Sequence, residues 1–415
     1  MSWSIKSTEF KIDSEIIEYG IHMHINRIFL LFIVSMGCSA SVFSDVPAAI
    51  NNLSPNQWQP ISLNTIADLN PCPDEECSWS GSEGQLAVTD AWTGGAYASE
   101  VGSLGALVYA GGGHNAYYGN EVYVFDLQTL TWQRRNNPTD GKTPGDPSTF
   151  NLDANCRFWD GSPVVPHTYD SVVYDPESNR FIMLTPSDAA SHVLPGRSEG
   201  CDSTIPAYFD LTTNAWGSMK SAGPGGLTDG PTAYDHKRKL FWGRTGFRDP
   251  RLLVSYDPAK DKWESYEDEP INIDSMGAID PTRDLFVTAN FRYNAEITVH
   301  DLSRPSKPGI YIQTIGDKQI EQSAELGFEW ADKLGGFIAW NNGQDLYLLT
   351  PPNGNWQKNS WEWTRITGRG ENPGVVSNGA YSKFQWIDSL GIAVIAPRID
   401  APVYAIRLNK ESFSK

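Results

Sequence analysis

The chain is poor in the features that mark several large functional classes. It carries 32 lysines and arginines against 50 aspartates and glutamates, a formal net charge of -18. That shortage of positive charge excludes general nucleic-acid binding and a basic membrane-surface role. Long apolar runs are also missing: the stretch at residues 28–34 is too short for a stable membrane span. Sustained helical periodicity is hard to find after residue 50. There are only five cysteines, and none has metal-ligand spacing. No cofactor is expected, although structural calcium or another metal held by scattered loop carbonyls stays open.

What the chain has instead is turn residues and aromatics. Its 37 glycines, 27 prolines and 15 tryptophans accompany a 40% hydrophobic content that is enough for a core. Frequent turns with abundant aromatics point to an all-β protein.

Residues 1–44 read as a leader. Arg27 precedes the apolar stretch, small residues occupy 35–44, and Asp45 opens an acidic start. This is the order of a secretory signal, so the protein is expected to be secreted or periplasmic. Lipoprotein anchoring at Cys38 is the lesser alternative, because Ser35 stands where an aliphatic residue is usual. Met23 is an alternative start. Without the leader, 29 basic and 46 acidic residues remain, about -17, and the exclusions above hold. Residues 45–415 are expected to form one domain, a monomer. Its four cysteines suggest two disulfides, Cys72–Cys77 and Cys156–Cys201 being favoured among three pairings.

A repeat lies in the turns. "VYVFDLQTLTWQR", "AYFDLTTNAWGSM" and "LVSYDPAKDKWESY" each place Trp six residues after Asp: Asp126/Trp132, Asp210/Trp216 and Asp257/Trp263. A second element precedes each copy, as in "DSVVYDPESNRFIML", "PTAYDHKRKLFWG" and "GFEWADKLGGFIAW", and reads as strand, Asp-centred turn, strand. Together they make a four-stranded meander of about 45–50 residues. The pattern, with a glycine-rich second strand and a Trp-bearing fourth, resembles kelch repeats over most of residues 90–410, and so implies a β-propeller. Six inner strands are counted, starting near Trp92, Thr168, Thr232, Met276, Leu326 and Gly379. A seventh blade would need hidden strands in residues 65–90. "WQPISLN" at 58–64 is expected to pair with residues 403–409 and close the ring. The recurrent Trp and Tyr are read as packing between blades.

In such a ring the turns between second and third strands share a face with the links between blades. That loop face offers "GGGHNAYYGN" with His114 and Tyr117, the link 136–166 leading to His167, "RTGFRDPR" with Arg244 and Arg248, and "NFRYNAE" with Arg292 and Tyr293. Gly111, Gly112 and Gly113 suggest a close approach of backbone. Glu121 is expected to bond structurally. Guanidinium forks and exposed aromatics suit an acidic polysaccharide. Elimination across a uronate needs a carboxylate neutraliser, a base and an acid, and no metal cluster.

The order His114, His167, Tyr234, Arg248, Tyr293 resembles the His/His/Tyr/Arg/Tyr constellation of the β-propeller ulvan lyases, which are seven-bladed. That resemblance implies a polysaccharide lyase with His114 and Tyr234 as acid and base and Arg248 (or Arg244) as neutraliser. His167 and Tyr293 would position the sugar, with Arg292 and Tyr117 beside them. Tyr234 in "PTAYD" is taken as equivalent to Tyr169 in "PHTYD". A galactose-oxidase-like copper site would need a free cysteine, which disulfides would consume. The rival is a non-catalytic propeller that binds a glycan or a protein partner.

Overall fold

The Asp-to-Trp repeat folds as a hairpin whose two aromatics face each other. The computed structural model describes residues 46–413 apart from 72–80, 114–115, 141, 144–145, 151, 185–203, 226, 228, 246–250, 269–274 and 292–295. Within it Phe125 pairs with Trp132, Phe209 with Trp216 and Tyr256 with Trp263. Their ring centroids lie 5.3, 5.2 and 4.5 Å apart. The aspartate before each turn accepts the backbone N–H groups that the turn leaves without partners: Asp126 those of Gln128 and Thr129, Asp210 those of Thr212 and Thr213. The turn then closes on a left-handed residue, Leu130 at φ 57° and Asn214 at φ 56°. The same device joins first strands to second: Asp235 caps Lys237 and Arg238, and Lys239 closes the turn at φ 58°.

Six antiparallel meanders result. Their inner strands are Gly95–Ala98, Val172–Asp175, Thr232–Asp235, Met276–Asp280, Gly327–Ala331 and Gln385–Ile387, which open blades I to VI. Successive inner strands touch, and the last touches the first. The chain is a six-bladed β-propeller. Residues 65–71 and 81–90 hold short helical turns, Ala67–Leu69, Gly84–Leu86 and Ala87–Asp90, so the described part of 65–90 supplies no seventh blade.

Closure comes from the N-terminal strand Gln57–Pro60, which runs antiparallel to Tyr404–Arg407 with Trp58 opposite Ile406. Trp58 is fully buried, donates its Nε1–H to the Gln344 carbonyl at 2.9 Å and packs edge-on against Trp340. Outside it, Arg369–Gly370 adds a short parallel strand. The core is correspondingly divided. Separate apolar clusters sit between blades VI and I, I and II, II and III, III and IV, IV and V, and V and VI.

Cys156 is buried and disulfide-bonded, and every other cysteine lies outside the described residues, as does the expected leader. Among the described residues no helix is long and apolar enough to cross a membrane.

Candidate functional site

Among the described residues, the candidates on the loop face are already engaged by the fold. His114, Arg248, Arg292 and Tyr293 lie outside the described residues. Tyr117 is buried and donates to Glu121 Oε1 at 2.7 Å; Tyr123 donates to the same oxygen at 2.8 Å. Glu121 thus has the structural hydrogen-bonding role expected of it, although it sits just before the strand Tyr123–Asp126 rather than inside it. Arg244 is 1% exposed. It donates Nε–H to Asp268 at 2.7 Å and Nη1–H to Thr288 at 3.0 Å, while His300 Nε2 lies 3.2 Å from the other Asp268 oxygen. Burial pushes the Asp268 carboxyl up, but the His300 hydrogen bond and the Arg244 charge outweigh it and hold the group well below the usual carboxylate range. Arg244 is therefore matched inside the protein.

The three glycines do allow a close approach, but by the chain itself. A Cβ on Gly113, at φ 57°, would sit 2.2 Å from the backbone of Pro166 and His167. On Gly112 it would meet Tyr117 and on Gly111 it would meet Thr93.

His167 belongs to an aromatic group built from the links between blades. Its ring lies 5.1 Å from Trp92 and 6.1 Å from Tyr169, and Tyr169 meets Tyr381 at 5.7 Å. Trp92 donates Nε1–H to Glu325 at 3.2 Å.

Tyr234 is placed differently from expectation. Its structural counterpart is Tyr174, not Tyr169: Tyr174 pairs with Phe181 as Tyr234 pairs with Phe241. Tyr169 precedes its strand and has φ 48°. Tyr234 therefore lies at the turn end of its inner strand. The strand end that carries Arg244 is three residues away along Leu240–Arg244, about 10 Å at the usual strand rise. The sequence misled because "TYD" and "AYD" look alike while the two segments differ in register by five residues.

At that turn end the structure opens a cavity of about 520 Å³ along the propeller axis. All six inner strands contribute, in layers set by register. Tyr97, Tyr174, Tyr234, Ile279, Trp330 and Trp386 hold equivalent positions, opposite Leu107, Phe181, Phe241, Phe286, Phe337 and Ala393. They form an aromatic mouth broken only by Ile279. Their polar ends are tied back: Tyr97 to the Leu104 carbonyl, Tyr174 to Asn179, Trp386 to Asp388. Burial pushes the Tyr234 phenol above its ordinary range. The next layer is Ala96, Val173, Ala233, Ala278, Glu329 and Gln385.

Asp170 crosses the inner end. It accepts the N–H of Thr232 from blade III at 3.2 Å and of Gly277 from blade IV at 2.9 Å, and it takes a further hydrogen bond from Ser382 of the link into blade VI. Glu329 accepts from Gln385 Nε2 at 3.0 Å. Burial pushes both carboxyls well above their ordinary range, and the Asp170 charge pushes Glu329 further. Among the described residues the lining holds five acids, Asp170, Asp235, Glu329, Asp332 and Asp388, one histidine, His236, and no lysine or arginine.

Sequence reasoning missed this site by looking to the loop face. The signal was present: "GFEWA" sets an acid in the middle of an inner strand, and an aromatic stands one or two residues before the turn aspartate in four of the repeats.

No family model and no curated protein matches the chain. Among solved structures it is similar to the crystal structure of a nidogen/laminin complex at 7% identity and a TM-score of 0.37, over 60% of this chain and 74% of that one. A likeness at that level leaves the function to be argued from the site.

Proposed function

We propose that this protein is a non-catalytic binding propeller whose ligand enters the axial cavity from the aromatic mouth. One observation carries the reading: every inner strand contributes to one concave site, with aromatic faces outside and buried carboxylates within. A concave, mostly apolar site with a few converging polar groups is the usual form of a small-ligand site. Elimination on a uronate asks for more. Acid, base and neutraliser must surround one sugar ring, and Tyr234 stands about 10 Å along the strands from the Arg244 end. With no lysine or arginine among its described residues, the lining also gives a uronate no cationic partner.

The test fills the cavity. Ala233→Trp enlarges a half-buried side chain of the cavity lining. A thermal-shift screen of cationic, neutral and anionic small molecules is run on both proteins. The reading expects stabilising compounds for the native chain that the filled variant no longer answers to. Shifts that persist in the variant, or no shift with any compound, would sink it. In parallel, incubation with uronate polysaccharides should give no rise in the ultraviolet absorbance of an unsaturated uronate; a rise would restore the lyase.

A further inference from the structure

The cavity's chemistry is more specific than its shape, and the following inference rests on the axial binding reading above. We propose that the cavity takes a small linear alkyl amine, inserted ammonium first, with its head between Glu329 and Asp170 and its chain along the alanine and valine walls.

Charge is the first support. Among the described lining residues are five acids and no lysine or arginine, so an anion has no cationic partner, whereas an ammonium stabilises the ionised form of an acid that burial otherwise holds neutral. Shape is the second. Between the aromatic layer and the floor four of the six wall positions are apolar, Ala96, Val173, Ala233 and Ala278, and the polar groups are gathered on one side at Glu329 and Gln385. From Tyr234 to Thr232, whose N–H binds Asp170, is two residues of strand, about 7 Å, which a chain of about five methylenes spans. The mouth is the third. Tyr97, Tyr174, Tyr234, Trp330 and Trp386 offer electron-rich rings to a cation on its way in.

The floor favours an ammonium over a metal ion. Calcium requires six to eight oxygens and magnesium an octahedron, roughly, and the alanine and valine walls supply none. Among the described residues no group of three or more acids, histidines or cysteines is gathered for a metal. An ammonium has three N–H donors to place. Glu329 accepts one hydrogen bond among the described residues, from Gln385 Nε2, and keeps part of its surface open to the cavity. Gln385 uses that nitrogen on Glu329 and on the Ser382 carbonyl, at 3.0 and 2.7 Å. Its amide oxygen has no protein donor among the described residues and is left to accept.

Calorimetric titration tests this with cadaverine as probe, 1-hexanol as its uncharged analogue, Nα-acetyl-lysine methylamide as a side-chain analogue and calcium chloride as the metal. Binding of cadaverine, none of hexanol, and a loss of about tenfold to a hundredfold on Glu329→Gln is the expected result, the range for one charge-assisted hydrogen bond. Ala233→Trp should abolish binding, and its melting curve and that of Glu329→Gln should stay cooperative. Hexanol binding as well as cadaverine, calcium binding in its place, the lysine analogue binding while cadaverine does not, or an unchanged affinity in Glu329→Gln would overturn the amine. If an anionic or neutral compound binds and Ala233→Trp removes it, the axial site stands and only the amine fails. If nothing binds the native chain, both fail.

Discussion

Lys383 gives the sharpest test of the electrostatics in this propeller. It has no exposed surface, and its Nζ donates to the Thr93 carbonyl at 2.7 Å and approaches Thr93 Oγ1 at 3.3 Å. Burial pushes its amine from the ordinary 10.5 down to about 7, against the opposite pull of Asp90 and Glu325. Between those two values the unfolded chain holds a proton that the folded chain does not, so stability must rise with pH there. One full proton of difference is worth about 1.4 kcal/mol per pH unit. From pH 7.5 to 9.5 the folded amine is largely neutral and the unfolded one largely charged, so Lys383 adds about 2.5 kcal/mol across the window. Lys383→Met keeps the length of the stem and removes the titration. Urea unfolding of both proteins at several pH values gives the difference in stability directly, and every other titrating group cancels from it. Native stability minus variant stability should climb by about 2 to 3 kcal/mol over the window. A flat difference would mean that Lys383 is charged in the fold, and would refute the claim that burial governs it.

Three further changes probe the frame. Asp268→Ala strands the buried Arg244 and should cost about 3 to 5 kcal/mol in urea unfolding. Because the Asp268 carboxyl is held below its unfolded value, its contribution is present above about pH 4 and fades as pH falls further, so the gap between native and variant should narrow on acidification. Trp58→Ala removes the buried anchor of the closing strand and should cost about 3 to 5 kcal/mol, with proteolysis starting near residue 58; unchanged stability would show that closure does not depend on that side chain. Lys239 holds a left-handed turn position that glycine fills in blades V and VI, at Gly335 and Gly391, and its ion pair with Glu177 is exposed. Lys239→Gly should therefore stabilise by about 0.5 to 1 kcal/mol, and a loss of that size would refute the strain argument.

The architecture was legible because its cause is local. A turn that Asp caps, followed by a Trp that must meet a Tyr or Phe across the hairpin, fixes a meander from a dozen residues, and six meanders follow by repetition. The closing strand was legible for the same reason, since an unpaired "WQP" needs an edge. The site was not, because it arises from register among six strands far apart in sequence. Asp170 matters only because it reaches the backbones of blades III and IV. Arg244 reads as an available cation until Asp268, just past the strand Lys262–Glu267, and Thr288 of the next blade accept its N–H groups. Composition shows which charges exist, and packing shows which of them are already spoken for.

The clasp between Gln57–Pro60 and Tyr404–Arg407 sets the order in which the molecule can be finished. The hydrogen bond from Val403 N–H to Ser62 Oγ spans 341 positions of chain. The first-made strand therefore waits, with its backbone edge open, until the last blade exists. Five blades can form as they are synthesised, but the ring stays an open arc whose axial hole has no fixed bore. The cavity floor needs blades II, III, IV and VI together, through Asp170 and Ser382. The axial cavity is thus a feature that the chain acquires all at once, with its final strand, and a probe for the cavity would double as a probe for completed synthesis.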